Sequence, residues 1–150
     1  MPEGALSYEL HKLTARLDRA ADGLLREHAD VSYPRFLALF AVRQGAENQR
    51  ALARWLRQSE PSTSRMVGVL AEAGWLEVSR TPGTGNRHQL KLTGAGSRLV
   101  ATCAELLENR FSELVAQAGI HYDRYLESTR RLLVQLDENQ QPARSKRGNT

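Results

Sequence analysis

The chain has 150 residues, of which 41% are hydrophobic and 25% charged, an ordinary composition for a globular domain with its own core. The single cysteine, Cys103, excludes an internal disulfide and agrees with a reducing cytoplasm, where we expect the protein to act. The N-terminus lacks the apolar run of a signal peptide, and no segment is apolar for long enough to predict a membrane span. We therefore expect no membrane partner.

The net charge of +4 is concentrated in the middle of the sequence. Residues 50–98 carry eight basic and three acidic side chains, a net charge of +5, whereas residues 1–49 and 99–141 are both net acidic. A phosphate backbone favours such a local excess, because each Lys or Arg placed on it releases counterions. A solvated basic face without a partner is the alternative that charge alone leaves open.

The first two predicted elements are helices. Leucines, with Ala20 or Ala21 between the last two, recur at steps of three and four over Leu6–Leu24, which predicts one narrow apolar stripe on a helix over about residues 5–28. A second helix follows Ser32, which can cap it, with Pro34 in the first turn, and it ends at Gly45. Because the second helix is apolar nearly all round, we expect it to be the buried centre of the fold.

Two shorter helices and a hairpin come next. The third helix is predicted over Glu47–Leu56, and Ser59 is expected to cap a fourth helix that has Pro61 in its first turn and stops at Gly74. The inner face of the fourth helix is predicted to consist of Met66, Val67, Val69 and Leu70. Beyond it the hydrophobic period changes from 3.6 to 2, which predicts two β-strands around the turn-forming residues 81–86.

Two further helices complete the predicted fold. The first of them is capped by Thr93 and ends at Ala118-Gly119. The last one carries apolar residues from Tyr122 to Leu136. The basic residues 142–150 are expected to be a disordered tail. The predicted fold class is mainly α with a small β-hairpin wing. We expect one domain over residues 1–141, in which a winged helix–turn–helix occupies about residues 31–93, between terminal helices at about 5–28 and 94–138.

The order helix, helix, tight turn, helix, hairpin is typical of a winged helix–turn–helix that binds double-stranded DNA. The second helix of such a motif enters the major groove, where hydroxyl groups bond to phosphates or bases and arginine takes guanine by a two-pronged contact. Three hydroxyl side chains and one arginine stand at its start, namely Ser62, Thr63, Ser64 and Arg65. A glycine-rich basic tip suits a minor groove. The tip residues predicted to bind DNA are Gly85, Asn86, Arg87 and His88.

Four segments between residues 49 and 96 resemble motifs of the MarR family of transcriptional regulators. They are Leu52–Leu56 for "LA..L", Ser59–Leu70 for the recognition helix S-x-P-T-V-S-R-L-V-x-x-L, Leu70–Leu76 for "LE..GLV" and Leu92–Gly96 for "LT..G". The chain departs from the family at Arg57-Gln58, where the family usually has glycine and an apolar residue. It also lacks the aspartate that usually precedes the wing arginine.

The resemblance implies a homodimer whose N- and C-terminal helices interlock as dimerisation helices. Each winged helix would then read one half of a pseudo-palindromic operator. Such proteins usually repress transcription, and many release DNA when a small, often aromatic or phenolic, effector shifts the spacing of the two recognition helices. The resemblance implies no cofactor.

Other functional classes find less support in the residues. The sequence has no nucleophile–base pair, phosphate-binding glycine loop or paired carboxylates that predict an enzyme, and its four histidines are too scattered to predict a metal site. Cys103 lies on the apolar side of its helix, which favours burial over redox sensing. The remaining alternative is a winged-helix module that docks proteins. Such a module has no need of Arg65 and a basic wing together.

Overall fold

The computed structural model describes residues 2–80 and 88–140. Along these residues the elements are α1 (Leu6–Ala29), α2 (Tyr33–Arg43), α3 (Gln49–Leu56), α4 (Glu60–Glu72), β1 (Leu76–Arg80), β2 (His88–Leu92), α5 (Gly94–Gln117) and α6 (Tyr122–Gln140). This order confirms the predicted fold class, mainly α with a small hairpin. No helix in the described ranges is long and apolar enough to cross a membrane. The predicted tail, residues 142–150, lies outside these ranges.

Two predicted helix starts are confirmed by their hydrogen bonds. The Ser32 hydroxyl accepts the backbone N–H of Arg35 at 3.4 Å at the start of α2. The Ser59 hydroxyl accepts the N–H of Ser62 at 3.3 Å at the start of α4. Each helix has proline in its first turn, where the missing N–H costs nothing because that group has no partner inside the helix.

Helix α3 begins two residues later than the sequence predicts. Asn48 is extended and caps the helix, because its side-chain oxygen accepts the Ala51 N–H at 2.9 Å. Asn48 also forms an antiparallel bridge with Gln89, and the carbonyl of Glu47 accepts the Leu90 N–H at 2.7 Å. The first two residues of the predicted helix therefore lie outside it, because Asn48 takes the extended conformation of a capping residue and pairs with β2.

The core lies in the compact unit that ends at Leu107. Its centre is Leu39 of α2, which is fully buried together with Leu52 of α3 and Leu70 of α4. Val100 and Cys103 of α5 complete the centre, and both are fully buried. Burial raises the pKa of the Cys103 thiol, because an apolar environment disfavours the thiolate. The prediction that Cys103 belongs to the core is confirmed.

Four helices end in the same hydrogen-bonded turn, the Schellman motif, in which one residue takes a left-handed conformation. In α2, α4 and α5 that residue is glycine: Gly45 (φ +110°), Gly74 (φ +79°) and Gly119 (φ +70°). In α3 it is Arg57, with φ +54° and ψ +44°. The Arg57 N–H bonds to the Arg54 carbonyl at 3.2 Å and the Gln58 N–H to the Ala53 carbonyl at 3.0 Å, which completes the motif.

Strands β1 and β2 form an antiparallel hairpin whose register sets its two faces. Leu76 pairs with Leu92, Val78 with Leu90 and Arg80 with His88 along one face. Glu77 pairs with Lys91 and Ser79 with Gln89 along the other. Leu76 and Leu90 are buried, so the first face packs on the core near its base and becomes exposed towards Arg80.

The described residues from Glu108 onward form a second compact unit. Within it the Tyr122 hydroxyl donates to the Glu108 carboxylate, which raises the pKa of Tyr122. Helix α6 contains no buried residue. More than half of the surface of several of its apolar side chains is exposed, namely that of Leu132, Leu133, Val134 and Leu136.

Candidate nucleic-acid interface

The outward face of α4 is the first part of the candidate interface. Because successive residues of a helix are about 100° apart, positions 64, 65, 68, 69 and 72 share one side. The structure confirms that all five are exposed. The Arg65 guanidinium donates to the Ser62 hydroxyl at 3.3 Å, so the two side chains lie together over the first turn. The N-terminal half of the face thus presents a cation and hydroxyl groups next to the helix N-terminus, which attracts anions, while Glu72 places a carboxylate at the far end of the same face.

Thr63 does not share this face, which contradicts its predicted role as a DNA contact. Its side chain is fully buried, and its hydroxyl donates to the Ser59 carbonyl at 2.9 Å. Thr63 lies four residues before Val67 and seven before Leu70, and these three form the buried side of α4. That spacing indicates burial in the sequence itself, because a residue in helical register with two core residues faces the core.

Two further residues, Gly68 and Val69, lie on the outward face of α4. Gly68 was not among the predicted contacts. Val69 was predicted to face inward, but 38% of its surface is exposed. Gly68 has no heavy atom within 4 Å of the position that a Cβ would occupy, so internal packing does not require a glycine there. A helix interior pays for glycine in stability, so the bare backbone at Gly68 suits close approach by another molecule.

The wing is described only at its base. His88, the first residue of β2, is half-buried and pairs directly with Arg80, which is exposed at the end of β1. Gly85, Asn86 and Arg87, the other predicted wing residues, lie outside the described residues. Arg80 was not among the predicted contacts. The sequence does contain an indication of such a contact, because Arg80 is a basic residue directly before the turn-forming residues.

The bridge between Asn48 and Gln89 holds the wing against the helix–turn–helix. Asn48 uses its side chain to cap α3 and its backbone to pair with β2. The position of the hairpin is thereby coupled to the start of α3. A helix and a wing that contact the same duplex bind more tightly when their relative position is already fixed. Flexible segments must be ordered on binding, which costs binding free energy.

Three arginines line an open cleft beside α4, and of these only Arg57 stood out in the sequence, as a departure from the usual glycine. Arg50 and Arg54 lie one turn apart on α3, and Arg57 occupies the turn between the helices. Ala53, Gln58 and Glu60 form the rest of the lining. All three arginines are exposed. No group of three or more His, Cys, Asp or Glu side chains that could hold a metal ion occurs within residues 2–80 and 88–140.

Many solved structures match this fold, among them three that cover nearly its whole length. A mutant of E. coli MarR complexed with operator DNA is 21% identical, with a TM-score of 0.72, over 87% of this chain and 92% of that one. The S. aureus MepR–DNA complex is 20% identical, with a TM-score of 0.73, over 92% and 100%. NadR in complex with 4-hydroxyphenylacetate is 18% identical, with a TM-score of 0.72, over 91% and 97%.

The chain has the MarR fold. Comparison with protein-family models and with curated proteins gave no match, so the likeness is one of structure. The matched structures cover between 87% and 92% of the chain, so the likeness extends well beyond residues 49–96. The resemblance predicted from residues 49–96 is thus confirmed at the level of the fold.

Proposed function

We propose that this protein is a transcriptional regulator that binds double-stranded DNA in a sequence-specific manner. The observation that carries the proposal is the outward face of α4, on which Ser64 and Arg65 are exposed beside a capped helix N-terminus. The net charge of +5 over residues 50–98 supports it, because binding to a polyanion is strengthened by a local positive charge. The DNA complexes of MarR and MepR, which share the fold, support it further.

In this proposal α4 enters the major groove with its N-terminal half. Arg65 binds a guanine edge through two hydrogen bonds, and Ser64 bonds to a phosphate or a base. Val69 lies one turn further along the same face and contacts the methyl group of a thymine, a contact that apolar side chains make. The wing residues Arg80 and His88, with Arg87, follow the adjacent minor groove or its phosphates.

The proposed active form is a homodimer. Helix α6 has no buried residue and exposes Leu132, Leu133 and Leu136, while Leu6 of α1 is 70% exposed. Apolar surface of this kind is stabilised when a second subunit covers it. A two-fold dimer presents two α4 helices, so its operator is a pseudo-palindrome with half-sites about one helical turn of DNA apart. Light scattering at micromolar concentration tests this point, and a monomer would contradict it.

The proposal includes repression and release by a small aromatic or phenolic effector. A cleft between α1, α2 and the α3–α4 turn supports it, since the cleft has both charged walls and apolar surface, including Arg19, Tyr33 and Leu37. Among proteins of this fold, NadR has been solved with 4-hydroxyphenylacetate. The proposed mechanism is a population shift, in which the effector favours a spacing of the α4 helices that does not fit the operator. Adding this compound during a DNA titration tests for release.

The experiment that tests the proposed function is selection of bound duplexes from a random DNA pool, followed by titration of the selected sequence at several salt concentrations. We expect a pseudo-palindromic sequence to be enriched and the binding constant to fall steeply as salt rises. A winged-helix module that docks proteins is the alternative. It would enrich no sequence, and its weak binding to DNA would not distinguish selected from random duplexes.

A further inference from the structure

We infer that Arg57, together with Arg50 and Arg54, forms a second DNA contact that binds a backbone phosphate beside the groove entered by α4. The inference rests on the proposed function and adds a site to it. The three arginines line one open cleft between α3 and the start of α4. In a helix–turn–helix the helix before the recognition helix crosses the DNA backbone, which brings a phosphate to this side of the motif.

The conformation of Arg57 is the first observation behind the inference. At φ +54° it takes the left-handed conformation that costs free energy for a residue with a side chain. Three other helices of the chain have glycine at the equivalent position of the same turn, Gly45, Gly74 and Gly119. The chain has arginine at a position where glycine would carry no such strain, and a strained residue of this kind points to a function for its side chain.

The charges around Arg57 are the second observation. Arg50 and Arg54 are four residues apart on α3, a spacing at which like charges destabilise a helix. None of the ion pairs found within residues 2–80 and 88–140 includes Arg50, Arg54 or Arg57. Glu60 is the one acidic residue in the cleft lining, so the cleft has a net positive charge. A phosphate placed there would offset the repulsion among the arginines.

The chemical class of the ligand is a phosphodiester of the DNA backbone. Guanidinium groups bind phosphate oxygens through paired hydrogen bonds, and such contacts carry no sequence information. The cleft contributes exposed guanidinium groups from two adjacent elements. It is therefore expected to strengthen binding to the selected operator and to random duplexes by the same factor, in contrast to the base contacts proposed for α4.

The Arg57→Gly variant tests the inference, because it should have opposite effects on stability and on DNA affinity. We expect the melting temperature to rise by about 2–4 °C, since the left-handed strain is relieved. We expect affinity for both operator and random DNA to fall by about three- to tenfold per bound subunit. We expect the negative slope of log K against log salt to become shallower, by about 0.9 per subunit. Arg57→Lys keeps the charge and is expected to keep the slope.

Asp30→Gly is the matched control, because Asp30 is the other non-glycine residue with positive φ in the described ranges and ends α1 instead of α3. It should raise the melting temperature while the salt slope stays at the parental value. If Arg57→Gly binds DNA with the parental affinity and slope, the phosphate site is overturned while the proposed function stands. An affinity loss confined to the operator also overturns it, since that indicates base reading. Failure of the parent to bind DNA at all overturns the proposed function itself.

Discussion

Gly96 lies directly against the backbone of Trp75. A Cβ built on Gly96 would be 2.0 Å from the carbonyl oxygen of Trp75, a distance that real Cβ atoms do not reach. The same carbonyl accepts the Thr93 N–H at 3.1 Å, while the Thr93 hydroxyl donates to the Gly74 carbonyl at 2.7 Å and accepts the Gly96 N–H at 3.0 Å. These contacts fix the start of α5 against the turn that leads into the wing. They give the "LT..G" motif a structural cause.

Gly96→Ala is expected to destabilise the protein, because the obstacle to its methyl group is backbone, which cannot rotate away. We expect the free energy of unfolding to fall by about 2 kcal/mol or more, as for other overpacked sites. Gly68→Ala is the matched control in a helix with open space around it, and it should raise stability by about 0.5–1 kcal/mol. Urea denaturation of both variants measures the difference. Equal stabilities would contradict the packing described.

Thr63→Val is expected to leave DNA affinity unchanged, since Thr63 is buried among core residues and away from the outward face of α4. The Ser59 carbonyl keeps the Thr63 N–H as a donor at 3.0 Å, so loss of the hydroxyl should cost less than about 1.5 kcal/mol of stability. Thr63→Ala removes buried volume and should be less stable than Thr63→Val. DNA titration and thermal unfolding test this. A clear loss of DNA affinity in a folded Thr63→Val protein would show that Thr63 does contribute to DNA binding.

Asn48→Ala is expected to loosen the wing as well as shorten α3. Loss of the cap should lower the free energy of unfolding by about 1 kcal/mol, the usual cost at this position. Hydrogen exchange should also speed up at the Leu90 amide, which bonds to the neighbouring Glu47 carbonyl. Ser32→Ala removes a cap at α2 and provides the comparison. If the Leu90 amide exchanges equally in both variants, Asn48 acts as a cap only.

The Cys103 thiol is expected to resist alkylation in the folded protein. Burial raises its pKa above the ordinary value of 9.0, so the thiolate, which is the reactive form, is scarcer at neutral pH than in an exposed cysteine. Iodoacetamide should react slowly at pH 7 and at the rate of a free thiol after denaturation. The folded-state rate should begin to rise only at a pH above the onset in the denatured protein. Rapid labelling of the folded protein at pH 7 would instead support a sensing role.

The sequence predicted those features that depend on local patterns. Ser32 and Ser59 are caps because their hydroxyls reach nearby N–H groups, and the change of hydrophobic period after Gly74 marks the hairpin. Features set by distant residues were missed. The pairing of Asn48 with Gln89 depends on the distant strand β2, although the preference of asparagine for the extended capping position is itself a local signal. Thr63 was expected to be exposed and is buried, whereas Val69 was expected to be buried and is exposed. The position of a residue along the helix is a better guide to burial than the polarity of its side chain.

The same distinction explains what was missed at the candidate interface. Arg65 could be assigned from its place at the start of α4. The significance of Arg57 depends on its left-handed conformation, and the Arg50–Arg54–Arg57 cleft depends on how α3 meets the following turn. Neither is encoded in residue spacing alone.

The most direct test of the central claim, that the outward face of α4 reads DNA, is titration of the selected operator with the Arg65→Ala variant at fixed salt. Arg16→Ala, which removes an exposed arginine from α1, is the charge-matched control. We predict that Arg65→Ala stays folded and binds the operator about 10- to 100-fold more weakly, with a smaller loss on random DNA, while Arg16→Ala binds like the parent. Parental affinity of Arg65→Ala for the operator would contradict the account.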